Sequence, residues 1–202
     1  MRFAGIFQTL LATFAVAYFA GTSTASADLF GTSKPKTSVT KLISRQAPPK
    51  INSSLAGAIN PGNSRFVISI SKQRAYLMVG DDVYIDTPVS TGKRSGMTPT
   101  GSFKISEKDA DHRSSIYGEF VDSKGRTVRS GISTKVDSAP SGTRYRGAAM
   151  NWFCRLTSGG VGMHTGILPG YPASHGCVRL PEEIAKMIFE RVKIGTPVTI
   201  EG

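Results

Sequence analysis

The chain has 202 residues, with 25 Lys and Arg against 14 Asp and Glu, a formal net charge of +11. That length leaves room for one globular domain with an extension. Its two cysteines leave no second Cys pair at zinc-finger spacing. The positive surplus suits an anionic partner (membrane headgroups, nucleic acid or an acidic polymer), and charge alone chooses none of these.

The first 27 residues, MRFAGIFQTLLATFAVAYFAGTSTASA, carry one Arg, an apolar run from Phe3 to Ala20 and a small-x-small end at Ala25-Ser26-Ala27. This is the pattern of a secretory signal peptide, with cleavage expected after Ala27. An uncleaved membrane anchor fits less well, because Gln8 and the threonines interrupt the run. The mature protein is therefore expected outside the cytoplasm. Residues 28–63 are rich in Ser, Thr, Lys, Pro and Gly and lack a sustained hydrophobic period. They predict a basic, mostly disordered linker.

From Arg65 the pattern changes. Strands are predicted near Phe66–Ser71, Arg74–Val79 and Asp82–Ser90, with tight turns at Lys72-Gln73 and Gly80-Asp81. TPTGSFKISEK predicts a Pro-Gly loop followed by a strand. Further β-like runs lie at Thr127–Ser133, Ala148–Leu156 and Gly160–His164. One segment has a helical period: in LPEEIAKMIFERVKIG, Ile184, Met187, Ile188 and Val192 share a face. Pro181 suits its first turn, Glu182 and Glu183 favour its positive end, and Lys193 with Gly195 closes it. TPVTIEG adds a last strand, so the domain, residues 64–202, is mainly β.

Two of the three histidines and one cysteine fall in HTGILPGYPASHGCVRLP, His164 to Pro181. As a zinc site, His164, His175 and Cys177 supply three donors, but no Asp or Glu occurs from Ser138 through Pro181. Catalytic zinc sites usually recruit a carboxylate as ligand, base or outer partner, so no metal is assigned. A nucleophile fits better. Arg179 and a following helix start would favour a Cys177 thiolate, and Arg144, Arg146 and Arg155 share the acid-free window. A histidine in reach would serve as general base and then acid. His164, at a strand end, is preferred over His175. Gly176 permits a turn that aims successive backbone N–H groups at an oxyanion. A Cys154–Cys177 disulfide would defeat this reading, and Cys154 lies in an apolar, strand-like stretch.

Ser174 to Leu180, SHGCVRL, with the preceding GMH ending at His164, resembles the signature of the L,D-transpeptidase catalytic domain, the YkuD-like family. FVISISKQRAYLMVGDDVYIDTPVSTGK and TPTGSFKI resemble its opening strands and Pro-Gly strand entry, and the likeness runs from about Arg65 to Glu201. It implies β-sandwich-like mixed sheets with one helix after the cysteine loop, and a cysteine acyltransferase of the periplasm or cell envelope with no cofactor. By that resemblance Cys177 is the nucleophile and His164 the general acid/base. His175, Gly176 and Ser174 support the loop and oxyanion hole, and Arg179 acts electrostatically or holds a substrate carboxylate. The implied partners are peptidoglycan stem peptides, outer-membrane proteins as acyl acceptors and carbapenem-type β-lactams, not nucleic acid. One departure stands out: Thr165-Gly166 follows His164 where many members have Gly directly, and a backbone carbonyl is the preferred group to orient His164. The rival readings are an L,D-carboxypeptidase with the same thioester and a non-catalytic wall-binding protein.

Overall fold

In the computed structural model, residues 46–60 and 62–202 are described. The expected signal peptide and residues 28–45 lie outside the described residues. Short alternating segments dominate. They run β1 (Lys50–Ile51), β2 (Ser64–Ser69), β3 (Arg74–Val79), β4 (Asp82–Pro88), β5 (Gly101–Lys104), β6 (Glu107–Asp109) and β7 (Arg113–Val121). They continue as β8 (Thr127–Ser133), β9 (Arg144–Ala149), β10 (Phe153–Arg155), β11 (Gly162–Thr165) and β12 (Val178–Leu180), then helix α1 (Glu182–Arg191) and β13 (Pro197–Glu201). The mainly β expectation with one helix holds.

Three sheets form. The largest has the order β1-β4-β3-β2-β13-β5, the second β12-β11-β10-β6 and the third β8-β7-β9. The first two are mixed, because β13 runs parallel to β2 and β12 parallel to β11. Alternation explains why the first sheet buries one face: Phe66 and Ile68 of β2, Ala75, Leu77 and Val79 of β3, and Val198 and Ile200 of β13 are all buried. They meet Cys154, Met163, Val178 and Leu180 of the second sheet and Ile184, Ala185 and Ile188 of α1 in one cluster. Each large side chain buried there contributes about 1.5–3 kcal/mol.

The structure departs from the sequence expectation in several places. The expected linker enters the fold at its C-terminal end: Lys50 and Ile51 pair with Asp86 and Ile85, and Asn52 caps a short 3-10 turn by accepting from the Ser54 amide. A two-residue strand is too short to show a period. The run expected as one strand, Ala148–Leu156, is two, β9 and β10, broken where Trp152 takes a positive φ of 58°. β7 was not expected at all. RSSIYGEFV has few apolar residues because only Phe120 and Val121 at its end are buried, so the third sheet leaves little hydrophobic signature.

Candidate active site

β11 and β12 carry the site, and their parallel register decides its geometry. Met163 pairs with Val178 and His164 with Arg179. Paired residues share a face of a sheet, and side chains alternate along each strand. Met163 and Val178 therefore point into the core, while His164 and Arg179 point to the opposite face. Cys177 lies just before β12, two residues ahead of Arg179, and feels the charge of that arginine. On β10, Cys154 pairs with Met163 and so belongs to the core face. Both cysteines are free, and the pairing that would have defeated the nucleophile is absent.

His164 is only 7% exposed. Its Nδ1 lies 2.7 Å from the carbonyl oxygen of Thr165. A carbonyl only accepts, so Nδ1 carries the proton and Nε2 keeps its lone pair. The group that orients the imidazole is thus a backbone carbonyl, supplied by the residue that departs from the usual sequence pattern. Burial is the main force on this ring and holds its pKa down to about 4, with Arg179 and His112 pushing the same way against the Thr165 bond. At neutral pH the imidazole is a neutral base.

Cys177 is half-buried and its Sγ contacts the Gly160 carbonyl at 3.6 Å. Burial pushes its thiol pKa up, offset in part by a backbone contact at Gly162 and by the charges of Arg179 and Arg155. The expected low-pKa thiolate is therefore corrected to a thiol of raised pKa. Two physical reasons account for the difference. β12 stands between Cys177 and α1; four extended residues carry the chain about 13 Å, and the pull of a helix end fades within its first turn. The acid-free window is also not acid-free in space, because Arg155 pairs with Glu107 of β6 and Arg146 with Glu119 of β7.

The loop before Cys177 rests on buried polar groups. Ser174 is 2% exposed; its Oγ accepts from the Gly176 amide at 3.0 Å and donates to the Cys177 carbonyl at 2.5 Å. Gly176 sits at φ +136°, and a Cβ there would lie 2.9 Å from the Met97 carbonyl oxygen, so the turn requires glycine. Its amide, expected to face an oxyanion, donates inward to Ser174. Thr98 Oγ1 donates to the Gly176 carbonyl at 2.6 Å, and the Lys93 amide donates to the Ser174 carbonyl. Arg179 exchanges backbone hydrogen bonds with Ser90 on its other side. Ser90, Thr91 and Thr98, all buried, were not singled out in the sequence, though they fall in the stretches PVSTGK and TPTG that carried the resemblance.

His175 faces away from this support. Its ring stacks on Tyr117 of β7 at 4.1 Å, and its Nε2 lies 3.2 Å from Lys93 Nζ. It joins the third sheet to the cysteine loop. Arg179 reaches toward the Ile167 carbonyl, and a Cβ on Gly166 would lie 2.7 Å from its Cγ, so Gly166 leaves room for the Arg179 stem. His112, overlooked in the sequence, stacks on Phe153 at 4.1 Å, and Phe153 in turn tilts against His164 at 6.5 Å. The donor atoms of His164, His175 and Cys177 do not converge. The one set of three metal-binding types that does, among the described residues, is Glu107, Asp109 and His112. Its members are engaged with one another and with Arg155: His112 Nδ1 meets Asp109 at 3.0 Å.

Residues 63–200 match the YkuD family, described as the L,D-transpeptidase catalytic domain. No curated protein matches the chain. Among solved structures it is similar to an L,D-transpeptidase from Mycobacterium smegmatis, with 23% identity over 69% of this chain and 59% of that one and a TM-score of 0.52. It is also similar to LD transpeptidase LdtMt1 in complex with imipenem, with 24% identity over 68% and 58% and a TM-score of 0.51. A third is an L,D-transpeptidase from Stackebrandtia nassauensis, with 20% identity over 81% and 64% and a TM-score of 0.50. At these identities the likeness is one of fold, and the chain spans less than two thirds of the length of each structure.

Proposed function

The chain belongs to the L,D-transpeptidase catalytic-domain family, and from that premise we propose that it is an exported cysteine acyltransferase acting on peptidoglycan stem peptides. The observation that carries this reading is the fixed tautomer of His164. Its Nδ1–H is committed to the Thr165 carbonyl, which leaves the Nε2 lone pair free to take a proton from Cys177.

In the first half-reaction His164 Nε2 takes the thiol proton as Cys177 Sγ attacks the carbonyl of the diaminoacid in a tetrapeptide stem. The C–S bond forms, the peptide C–N bond breaks, and the His164 imidazolium returns its proton to the departing D-alanine amine. In the second half, an amine acceptor attacks the thioester while His164 removes its proton, and the Cys177 thiol is released with the proton back on sulfur. A second stem as acceptor gives a 3→3 cross-link; a protein lysine gives attachment of an outer-membrane protein to the wall. Burial of both groups favours this arrangement, since a neutral thiol–imidazole pair costs less to desolvate than a thiolate–imidazolium pair. Ionisation is then confined to the moment of attack. Arg179, beside His164 in register, is placed to meet a stem carboxylate.

The signal peptide at residues 1–27 puts this chemistry in the periplasm, and the basic residues between it and the domain suit an anionic wall. The same thioester passed to water makes the protein an L,D-carboxypeptidase. Incubation with tetrapeptide muropeptides followed by mass analysis separates the two: 3→3 dimers support transfer, tripeptides alone sink it, and unchanged substrate points to a non-catalytic wall-binding protein. We expect imipenem to acylate Cys177, adding its mass to the intact protein.

A further inference from the structure

We propose that Gln73 is a positioning residue for the nucleophile loop, acting through Thr91 and Ser174; this rests on the reading of Cys177 as the nucleophile. Gln73 lies in the turn between β2 and β3, in a part of the sequence remote from the cysteine motif, yet its side chain is buried among polar groups that end at Cys177. Its Nε2 donates to Thr91 Oγ1 and to the Ile70 carbonyl, both at 2.7 Å, and its Oε1 accepts from the Thr91 amide at 3.0 Å. The amide thus grips Thr91 from both its backbone and its hydroxyl.

Thr91, fully buried, passes the constraint on. Its carbonyl accepts from the Ala173 amide at 3.0 Å and the Ser174 amide at 2.9 Å. Ser174 Oγ then holds the Gly176 amide and the Cys177 carbonyl. Every link is a direct hydrogen bond, and Gln73, Thr91 and Ser174 are all buried. Loss of the Gln73 amide leaves the Thr91 N–H and hydroxyl buried without partners and frees the carbonyl that sets the height of the loop. The backbone adds a second argument. Gln73 sits at φ +50°, a region that favours Gly or Asn and disfavours a long side chain. A turn needing only that backbone would be better served by those residues; the reach of glutamine serves the Thr91 contact.

The test compares Gln73→Ala, Gln73→Glu and Thr91→Val with the wild type. The glutamate keeps an acceptor for the Thr91 amide but sets an oxygen against the Ile70 carbonyl, and the valine removes only the hydroxyl link. Three quantities are measured: the rate of Cys177 alkylation by iodoacetamide across pH, the maximal rate and half-saturating concentration of acylation by imipenem, and the melting temperature. Gln73→Ala is expected to lower the maximal acylation rate about ten-fold, the worth of one buried hydrogen bond. Its half-saturating concentration should stay within about two-fold, and the pH profile of alkylation should shift. The other two variants are expected to lose less, in the same parameter. Variants that melt earlier but keep wild-type alkylation profiles and maximal acylation rates overturn the proposal. Should Gln73→Ala not fold, Gln73→Glu and Thr91→Val decide it by the same criteria. A wild type that takes no imipenem adduct sinks the transpeptidase reading instead, while the alkylation profiles still decide the role of Gln73.

Discussion

Cys154 lies within the four-stranded sheet, on β10, whereas Cys177 lies just before its edge strand β12. Cys154 points inward with Met163, 1% exposed, and burial pushes its thiol up to about 12. Cys177 lies within reach of the Arg179 charge, and although burial raises its pKa too, two arginines and a backbone contact pull against that rise. Burial makes Cys154 a small hydrophobe, while Cys177 keeps cationic neighbours. What separates the two thiols is their charged surroundings rather than depth alone.

The strongest way to break this comparison is to exchange the roles. Cys177→Ser is expected to abolish the imipenem adduct and all turnover, whereas Cys154→Ser leaves the adduct intact, both read from intact-protein mass. An adduct on Cys154 in the Cys177→Ser protein would show that the two thiols are not chemically distinct. Next in size, His164→Gln removes the base without removing the thiol and should lower the acylation rate by roughly 10²–10⁴-fold, seen in single-turnover kinetics.

Acid sharpens the same contrast. His164 titrates near 4 in the folded protein against an ordinary 6.5. Between those values the unfolded chain binds a proton that the folded protein refuses. Its contribution is therefore fully present above about pH 6.5 and lost as the pH falls toward 4, by on the order of 3 kcal/mol. Urea titrations at stepped pH check this, and His164→Gln should flatten the slope. Cys154→Ser, by placing a hydroxyl in an apolar core, should cost about 1–3 kcal/mol at every pH. The smallest expected effect is that of Glu107→Gln. The half-exposed ion pair with Arg155 should be worth no more than about 1 kcal/mol, but the freed arginine charge should speed Cys177 alkylation slightly, by less than about three-fold.

The strands with one buried face were legible, because Ala75, Leu77 and Val79 alternate with half-exposed neighbours along β3, and Phe66 is flanked by half-exposed residues on β2. Arg74–Val79 and Thr127–Ser133 were placed to the residue. β7 escaped because its sheet is held by backbone pairing with little burial. At the site, the pairing of His164 with Arg179, two residues past Cys177, follows from the register of β11 and β12, a tertiary pairing no local pattern encodes. The arginines illustrate the same limit: Arg155 stands in a window without acids along the chain, yet Glu107 reaches it from another strand. Gln73 and Thr91 were hidden for a related reason, since turn residues and hydroxyls carry no signal until the fold brings them under the cysteine loop.

The order of the largest sheet carries a consequence for how the protein is made. β13, Pro197–Glu201, lies inside that sheet between β2 and β5, pairing with Phe66 on one side and Phe103 on the other. β2 and β5 therefore have no direct partnership, and the middle of the sheet stays open until residues 197–201 leave the ribosome. Contacts this distant along the chain form late and slowly. A nascent chain of this design is held back from premature closure of its central sheet.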